Sequence, residues 1–180
     1  MATAPTRLMT FAEFEQLPDP VAGRYELLRG ELSLLPPPVF RHYATLDRLR
    51  RLLDSAGSGS SGRVCPEFAF RPRGEFDYYI CDIAWVSDQR WDATAANSYF
   101  QGSPELVIEI LSPSNRAAEM MVKEAVCLST GAREFWIVDA DLRQVKVSTP
   151  DGHTVTYKTG QNIPLFFAEG ATLDVDCIFG

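Results

Sequence analysis

Lysine is scarce in this chain: only three of its 17 basic side chains are lysines, Lys123, Lys146 and Lys158. A lysine that falls beside other candidate functional residues therefore cannot be dismissed as background. Long apolar runs are missing as well. None approaches the roughly 20 residues needed to cross a bilayer, and Met1 to Met9 lack the apolar core of a signal peptide. These absences predict a cytoplasmic protein with no membrane partner. Paired cysteine spacing is also lacking. Cys65, Cys81, Cys127 and Cys177 form no C-x-x-C pair, which argues against a structural zinc cluster and for reduced, partly buried thiols.

What is present is the composition of an ordinary globular protein, 46% hydrophobic and 23% charged over 180 residues. That length predicts one domain, 1–180, with a proper core. The net charge of −7 argues against nucleic acid at first sight, yet it is unevenly spread. Residues 1–73 carry 10 basic and 8 acidic groups, a net of +2, whereas residues 74–180 carry 7 and 16, a net of −9. Basic residues cluster at Arg41, Arg48, Arg50 and Arg51, and again at Arg63, Arg71 and Arg73. They read either as a modest phosphate-facing patch or, more commonly for such runs, as a solvated helix face.

Thr10-Phe11-Ala12-Glu13 has the capping-box pattern and predicts a short helix ended by Pro18 and Pro20. Tyr25 to Leu28 and Glu31 to Leu35 predict a hairpin around Arg29-Gly30. A helix is expected from about Phe40 to Leu53, with Leu46, Leu49 and Leu53 on one face and His42 one turn earlier on that face. Ser55 to Gly62 reads as a flexible loop. Strands are expected near 64–70, 76–86 and 105–111, with a loop from Ser87 to Ser103. Ser112 to Asn115 supplies caps for a helix to about Thr130. Strands follow at 134–138, 143–148 and 153–158, the last two joined around Asp151-Gly152. The order predicts an α/β domain with one central mixed sheet flanked by helices, and additional hairpins.

Two carboxylates interrupt the most buried-looking strands. Asp82 lies in Tyr79 to Val86 and Glu109 in Glu105 to Leu111, both of the near-continuous apolar type expected of a strand covered on both faces. An ionised carboxylate there is costly without a metal, a cation or several donors. On neighbouring strands, with Asp82 on the face of Ile80 and Ala84 and Glu109 on that of Val107 and Leu111, both could project to one side. Their oxygens select a hard cation, Mg²⁺ or Mn²⁺. Lys123, fourteen residues after Glu109, could stabilise phosphate charge beside such an ion. The bland alternatives are a structural ion pair and a surface pair between Glu119 and Lys123 at i, i+4. Glu26 and His42 are accessory candidates, the one equally at home facing solvent and the other as a hydrogen-bonded core residue.

Gly102-Ser103-Pro104-Glu105-Leu106-Val107-Ile108-Glu109-Ile110-Leu111-Ser112-Pro113-Ser114 resembles the hallmark stretch of the Uma family of putative restriction endonucleases. The likeness continues through Glu119 and Lys123 to Gly131-Ala132-Arg133-Glu134-Phe135-Trp136-Ile137-Val138-Asp139. Tyr25-Glu26-Leu27, Gly30-Glu31-Leu32 and His42 also fall where that family has similar residues. The resemblance implies a restriction-endonuclease-like fold of the superfamily named for its PD-(D/E)XK motif. It gives Asp82 the place of the motif aspartate and Glu109 that of the (D/E). Leu111 occupies the usual lysine position, and the resemblance moves that role to Lys123 on the following helix. Cys81 stands where a proline is usual and Cys127 where a tyrosine is.

These readings together predict metal-dependent hydrolysis of phosphodiester bonds in nucleic acid, DNA first. Catalysis is assigned to Asp82, Glu109 and Lys123, metal to Asp82 and Glu109, and phosphate contact to Arg48, Arg50, Arg51, Arg71 and Arg73. A homodimer or a separate partner would supply target choice. The rival, favoured by the acidic balance, is a catalytically idle module of the same fold that binds nucleic acid or another protein.

Overall fold

A computed structural model of the protein describes residues 7–112 and 117–180. Thr10 opens the first element through its capping box. Its hydroxyl accepts from the Glu13 amide at 3.3 Å while the Glu13 carboxylate accepts from the Thr10 amide at 2.9 Å, starting α1 (Phe11–Phe14). Strands β1 (Arg24–Leu28) and β2 (Glu31–Leu35) form the expected hairpin. Arg29 and Gly30 turn it at φ 52° and 82°, the paired left-handed geometry that suits strand twist. The Arg29 amide is held by Asp77 Oδ1 at 2.7 Å. Helix α2 (Phe40–Ala56) runs past the expected end at Leu53 into the serine–glycine stretch and buries Leu46, Leu49 and Leu53.

The central sheet is built from β3 (Gly62–Arg71), β4 (Tyr79–Ser87), β5 (Phe100–Gln101), β6 (Leu106–Ile110), β7 (Glu134–Asp139), β8 (Gln144–Ser148) and β9 (Thr154–Lys158). Their order across the sheet is β5-β3-β4-β6-β7-β8-β9, with β3/β5 and β6/β7 parallel and the other pairs antiparallel. Helix α3 (Asp88–Ala93) follows β4, and α4 (Ala117–Ser129) lies between β6 and β7. A small pair, β10 (Asn162–Pro164) and β11 (Thr172–Asp174), and helix α5 (Val175–Phe179) end the chain. Among the described residues no helix is long and apolar enough to cross a membrane.

Several expectations need correction. The segment from Ser87 to Ser103 is not one loop but holds α3 and the edge strand β5, pinned by Arg90. The Arg90 guanidinium donates to Ser103 O at 2.6 Å and Gln101 O at 3.0 Å, and it lies 4.5 Å from the Phe100 ring centre. A six-residue helix and a two-residue strand are too short to show a period in sequence. Strand β4 begins at Tyr79 rather than near 76, because the chain just before it pairs with the β1–β2 hairpin through Leu27 and Tyr78. The elements after residue 160 were not anticipated. The expected helix caps from Pro113 to Asn115 lie outside the described residues.

Two cores result. On one face α2 and the C-terminal elements set Leu46, Leu49, Leu53, Val175 and Ile178 against Ile83, Trp85, Leu106 and Ile108. On the other, α4 sets Met120, Val126 and Cys127 against Tyr79, Cys81, Ala84, Val86 and Val107. Strict alternation would place Cys81 with Ile83. Instead Cys81 joins Ala84 on the α4 side, so the pleat slips by one residue at Asp82. Across from it the recorded pairs jump from Pro66↔Ile83 to Phe68↔Cys81, and the intervening Glu67 has φ 49°. A non-glycine residue in that region marks a local distortion of the strand. The expected grouping of Asp82 with both Ile80 and Ala84 therefore fails.

Candidate active site

The seam between β4 and β6 is where charge enters the sheet. Their pairing runs Trp85↔Leu106, Ala84↔Val107 and Ile83↔Ile108, and one further step sets Asp82 opposite Glu109. There the backbone ladder gives way to side chains. The Ile110 amide donates to Asp82 Oδ2 at 2.7 Å, the Ile80 amide to Glu26 Oε1 at 2.6 Å, and Lys123 Nζ to Ile80 O at 2.9 Å. Buried strand-edge groups need partners, and here Asp82, Glu26 and Lys123 supply them.

Lys123 reaches the seam from α4 and is 4% exposed. Its ammonium lies 2.6 Å from Glu26 Oε1 and 2.8 Å from Glu109 Oε1. The second contact is close in distance but off the hydrogen-bonding direction, which leaves Glu109 Oε1 buried without an aligned donor. From α2, His42 Nε2 lies 3.2 Å from Asp82 Oδ2, while its Nδ1 is buried without a partner. The alternation of β1 turns Arg24, Glu26 and Leu28 to the same cleft. Arg24 also donates to Glu67 at 2.7 Å.

The electrostatics follow from crowding three carboxylates around one ammonium. Burial pushes the Glu109 carboxyl up, Asp82 and Glu26 add to the rise, and Lys123 offsets only part of it. Burial alone would lower Lys123, but Glu109 and Glu26 outweigh it and hold the amine well above its ordinary value. Lys123 is thus a fixed cation and not a proton acceptor at neutral pH. The bond to Asp82 raises His42 against the opposing effect of burial.

The residues enclose a cleft of about 290 Å³, with Arg24, Glu26, His42, Asp82, Glu109 and Lys123 on its walls and Pro36 to Val39 on its rim. Among the described residues no group of three or more His, Cys, Asp or Glu side chains is arranged to hold a metal ion. A smaller donor set still suits Mg²⁺, which keeps several waters and commonly takes one or two carboxylates plus substrate phosphate. Asp82 and Glu109, which both line the cleft, could supply such a set.

Asp82, Glu109, Lys123, Glu26 and His42 are therefore brought together as a group. The surface-pair reading of Lys123 fails, because the side chain points inward to the seam. Glu26, a solvent-facing alternative in sequence, is 3% exposed. Arg24 was overlooked, although its i, i+2 spacing from Glu26 on a strand was a usable signal. The other arginines are engaged elsewhere. Arg48 donates to Ile178 O at 3.3 Å, Arg50 pairs with Asp54 at 2.6 Å, and Arg51 pairs with Asp47 at 2.9 Å. Arg71 stacks 3.7 Å from the Phe11 ring centre and bonds the Gly74 carbonyl, and Arg73 donates to Ser129 Oγ at 3.1 Å. None of these five is among the residues lining the cleft.

A family model named Uma2 and described as "Putative restriction endonuclease" matches residues 11–176. A crystal structure from Anabaena variabilis, described as a putative nuclease belonging to DUF820, superposes with a TM-score of 0.81 at 22% identity. The superposition covers 95% of this chain and 97% of that one, a likeness of fold. No curated protein matches the chain.

Proposed function

The chain belongs to the Uma2 family, and from that membership and the charged seam we propose that it is a divalent-metal-dependent nuclease acting on DNA. The observation that carries this reading is the buried Glu109 Oε1, left without an aligned donor beside Asp82 and within 2.8 Å of a permanently charged lysine. A carboxylate kept so far from water is maintained at a cost, and a strongly perturbed group beside a charge partner in a cleft is a functional-site candidate. Asp82 and Glu109 would hold Mg²⁺ or Mn²⁺. Bound there, such an ion neutralises charge on a phosphate and lowers the pKa of a water.

The chain's own residues do the rest. Glu109 lines the cleft with one oxygen held 2.8 Å from the Lys123 ammonium, while Asp82 is oriented by the Ile110 amide and His42. Lys123, fixed as an ammonium, stabilises negative charge growing on a scissile phosphate. Arg24 faces the same space and can contact a flanking phosphate. A second copy or a partner would select the target.

The test is cleavage of supercoiled and linear DNA with and without Mg²⁺ or Mn²⁺, using the Asp82→Ala, Glu109→Ala double variant as control. Metal-dependent nicking by the wild type alone is expected. Equal background from both proteins would sink the proposal. It would favour a nuclease-fold interaction module, a reading that the net charge of −7 already supports.

A further inference from the structure

In the motif pattern that this chain resembles, the lysine sits two residues after the acid, so the pleat of one strand fixes their separation. Here that position is Leu111, and the ammonium arrives on a long side chain from another element, α4. A lysine side chain has four rotatable bonds, and its loss of freedom on ordering is among the largest of any residue. Something other than the strand must set its position beside Glu109.

The hydrogen bonds around Ile80 show what does so. Glu26 Oε1 accepts both the Ile80 amide and the Lys123 ammonium, each at 2.6 Å, while the same ammonium donates to Ile80 O at 2.9 Å. Glu26, Lys123 and both polar groups of one β4 residue thus close a ring. Glu26 itself comes from β1, whose neighbouring Leu27 is tied to Tyr78 by backbone bonds of 2.8 and 2.9 Å. The ring is therefore anchored on two separate pieces of backbone, and the ammonium it holds lies 2.8 Å from Glu109 Oε1.

We propose that Glu26 is a positioning residue that holds the Lys123 ammonium at the catalytic carboxylate, replacing the same-strand attachment this chain lacks. It acts through Lys123 and is assigned no contact with metal or substrate. Without its charge, Lys123 would be left with a single carboxylate partner, Glu109, and only the Ile80 carbonyl to fix its position. The catalytic part of this inference rests on the nuclease reading above; the placement of Lys123 does not.

The scarcity of lysine makes the placement directly measurable. With three lysines in the chain, ¹⁵N-lysine labelling gives three ammonium signals, and Lys123 is the buried one. Its protons should exchange slowly in the wild type. Glu26→Gln keeps an oxygen for the Ile80 amide but removes the charge, so the Lys123 signal should shift and lose protection. Glu31→Gln, on the exposed strand of the same hairpin, should leave it unchanged. In cleavage assays Glu26→Gln should lower kcat about 10- to 100-fold with KM nearly constant, the signature of misplacement near the reacting centre.

An unchanged Lys123 signal in Glu26→Gln would overturn the proposal, and so would a shifted signal with unchanged kcat. If Glu26→Gln does not fold, Glu26→Asp applies the same test by keeping the charge and withdrawing it by one methylene. If the wild type cleaves nothing, the nuclease reading falls, and the ammonium signal still decides whether Glu26 holds Lys123.

Discussion

The seam between β4 and β6 has two halves made on opposite principles. In the closed half, Ile83, Ala84 and Trp85 face Leu106, Val107 and Ile108 across a regular backbone ladder, every one of them 7% exposed or less. In the open half, starting at Asp82 and Glu109, side-chain atoms replace the ladder. The closed half stabilises by apolar burial, about 1.5–3 kcal/mol for each large side chain. The open half surrounds one ammonium with carboxylates, and there desolvation offsets much of the attraction. Within a few residues the same two strands thus pass from apolar packing to a charged cluster. The passage is made where the pleat slips at Asp82 and Glu67 takes φ 49° opposite.

The sharpest way to break this comparison is to ask for activity from each half. Lys123→Ala should reduce kcat about 10²–10³-fold, the usual loss for one preorganised charge aimed at the transition state. Lys123→Arg should rescue poorly, since a planar guanidinium cannot occupy the compact site of an ammonium. Metal affinity, read by titration calorimetry with Mn²⁺, should survive both changes. Normal cleavage by Lys123→Ala would remove the open half from the chemistry altogether.

Stability should sort the halves the other way. Ile108→Ala in the closed half should cost about 2–5 kcal/mol, from lost transfer energy and the cavity left behind. Glu109→Leu in the open half should cost less than that, because it removes a desolvated acid while Lys123 keeps Glu26 as its partner. Urea unfolding of the two variants decides the matter. A Glu109→Leu protein less stable than Ile108→Ala would mean that the charged cluster holds the sheet together.

How much of this was legible depended on whether a signal was local. The strands around Asp82 and Glu109 announced themselves as apolar runs, and the acids stood out because charge is costly there. Lys123 stood out because lysine is scarce and it follows the two acids, and the family likeness added support, although its spacing from Glu119 also allowed a surface pair. Glu26 was weak in sequence because its environment is made by residues more than fifty positions away, Ile80 and Lys123. The slip at Asp82 could not be read at all. Alternation rules assume a regular pleat, and both neighbours of the slip are apolar on either reading. Likewise α3 and β5 are too short to carry a period, and their order comes from Arg90 reaching distant carbonyls.

Metal and pH should act on the open half together. At 100 times its dissociation constant, Mn²⁺ would stabilise the fold by about 2.7 kcal/mol through mass action, and Asp82→Ala should abolish that gain. In the metal-free protein the Glu109 carboxyl is held above its ordinary 4.5. In that interval the folded state binds more protons than the unfolded one, so stability falls as pH rises from 4.5 through the folded value. His42, raised from 6.5 by Asp82, acts in the same sense above its own ordinary value. Melting curves should therefore show a declining limb toward neutral pH that Glu109→Gln flattens. A melting temperature indifferent to both Mn²⁺ and pH would mean that the seam carries no such coupled carboxylate.

The smallest effects are expected from charges that lie outside the seam, and they sharpen the contrast by failing to matter. Arg50 and Arg51 carry the same formal charge as Lys123, but they pair with Asp54 and Asp47 along one helix in contact with water. Exposed pairs of this kind are screened and gain little over solvated ions. Charge reversal at both positions should cost the fold only a few tenths of a kcal/mol per pair turned from attraction to repulsion and leave the cleavage rate unchanged. It also decides the phosphate-facing reading of the α2 arginines. Each phosphate contact releases counterions and contributes about 0.9 to the slope of log affinity against log salt. If the cleft wall makes the contact, Arg24→Ala should reduce that slope by about one contact and the Arg50, Arg51 reversal should not. The opposite result would place the nucleic acid on α2 and away from the cleft, and the open half would lose its claim to the substrate.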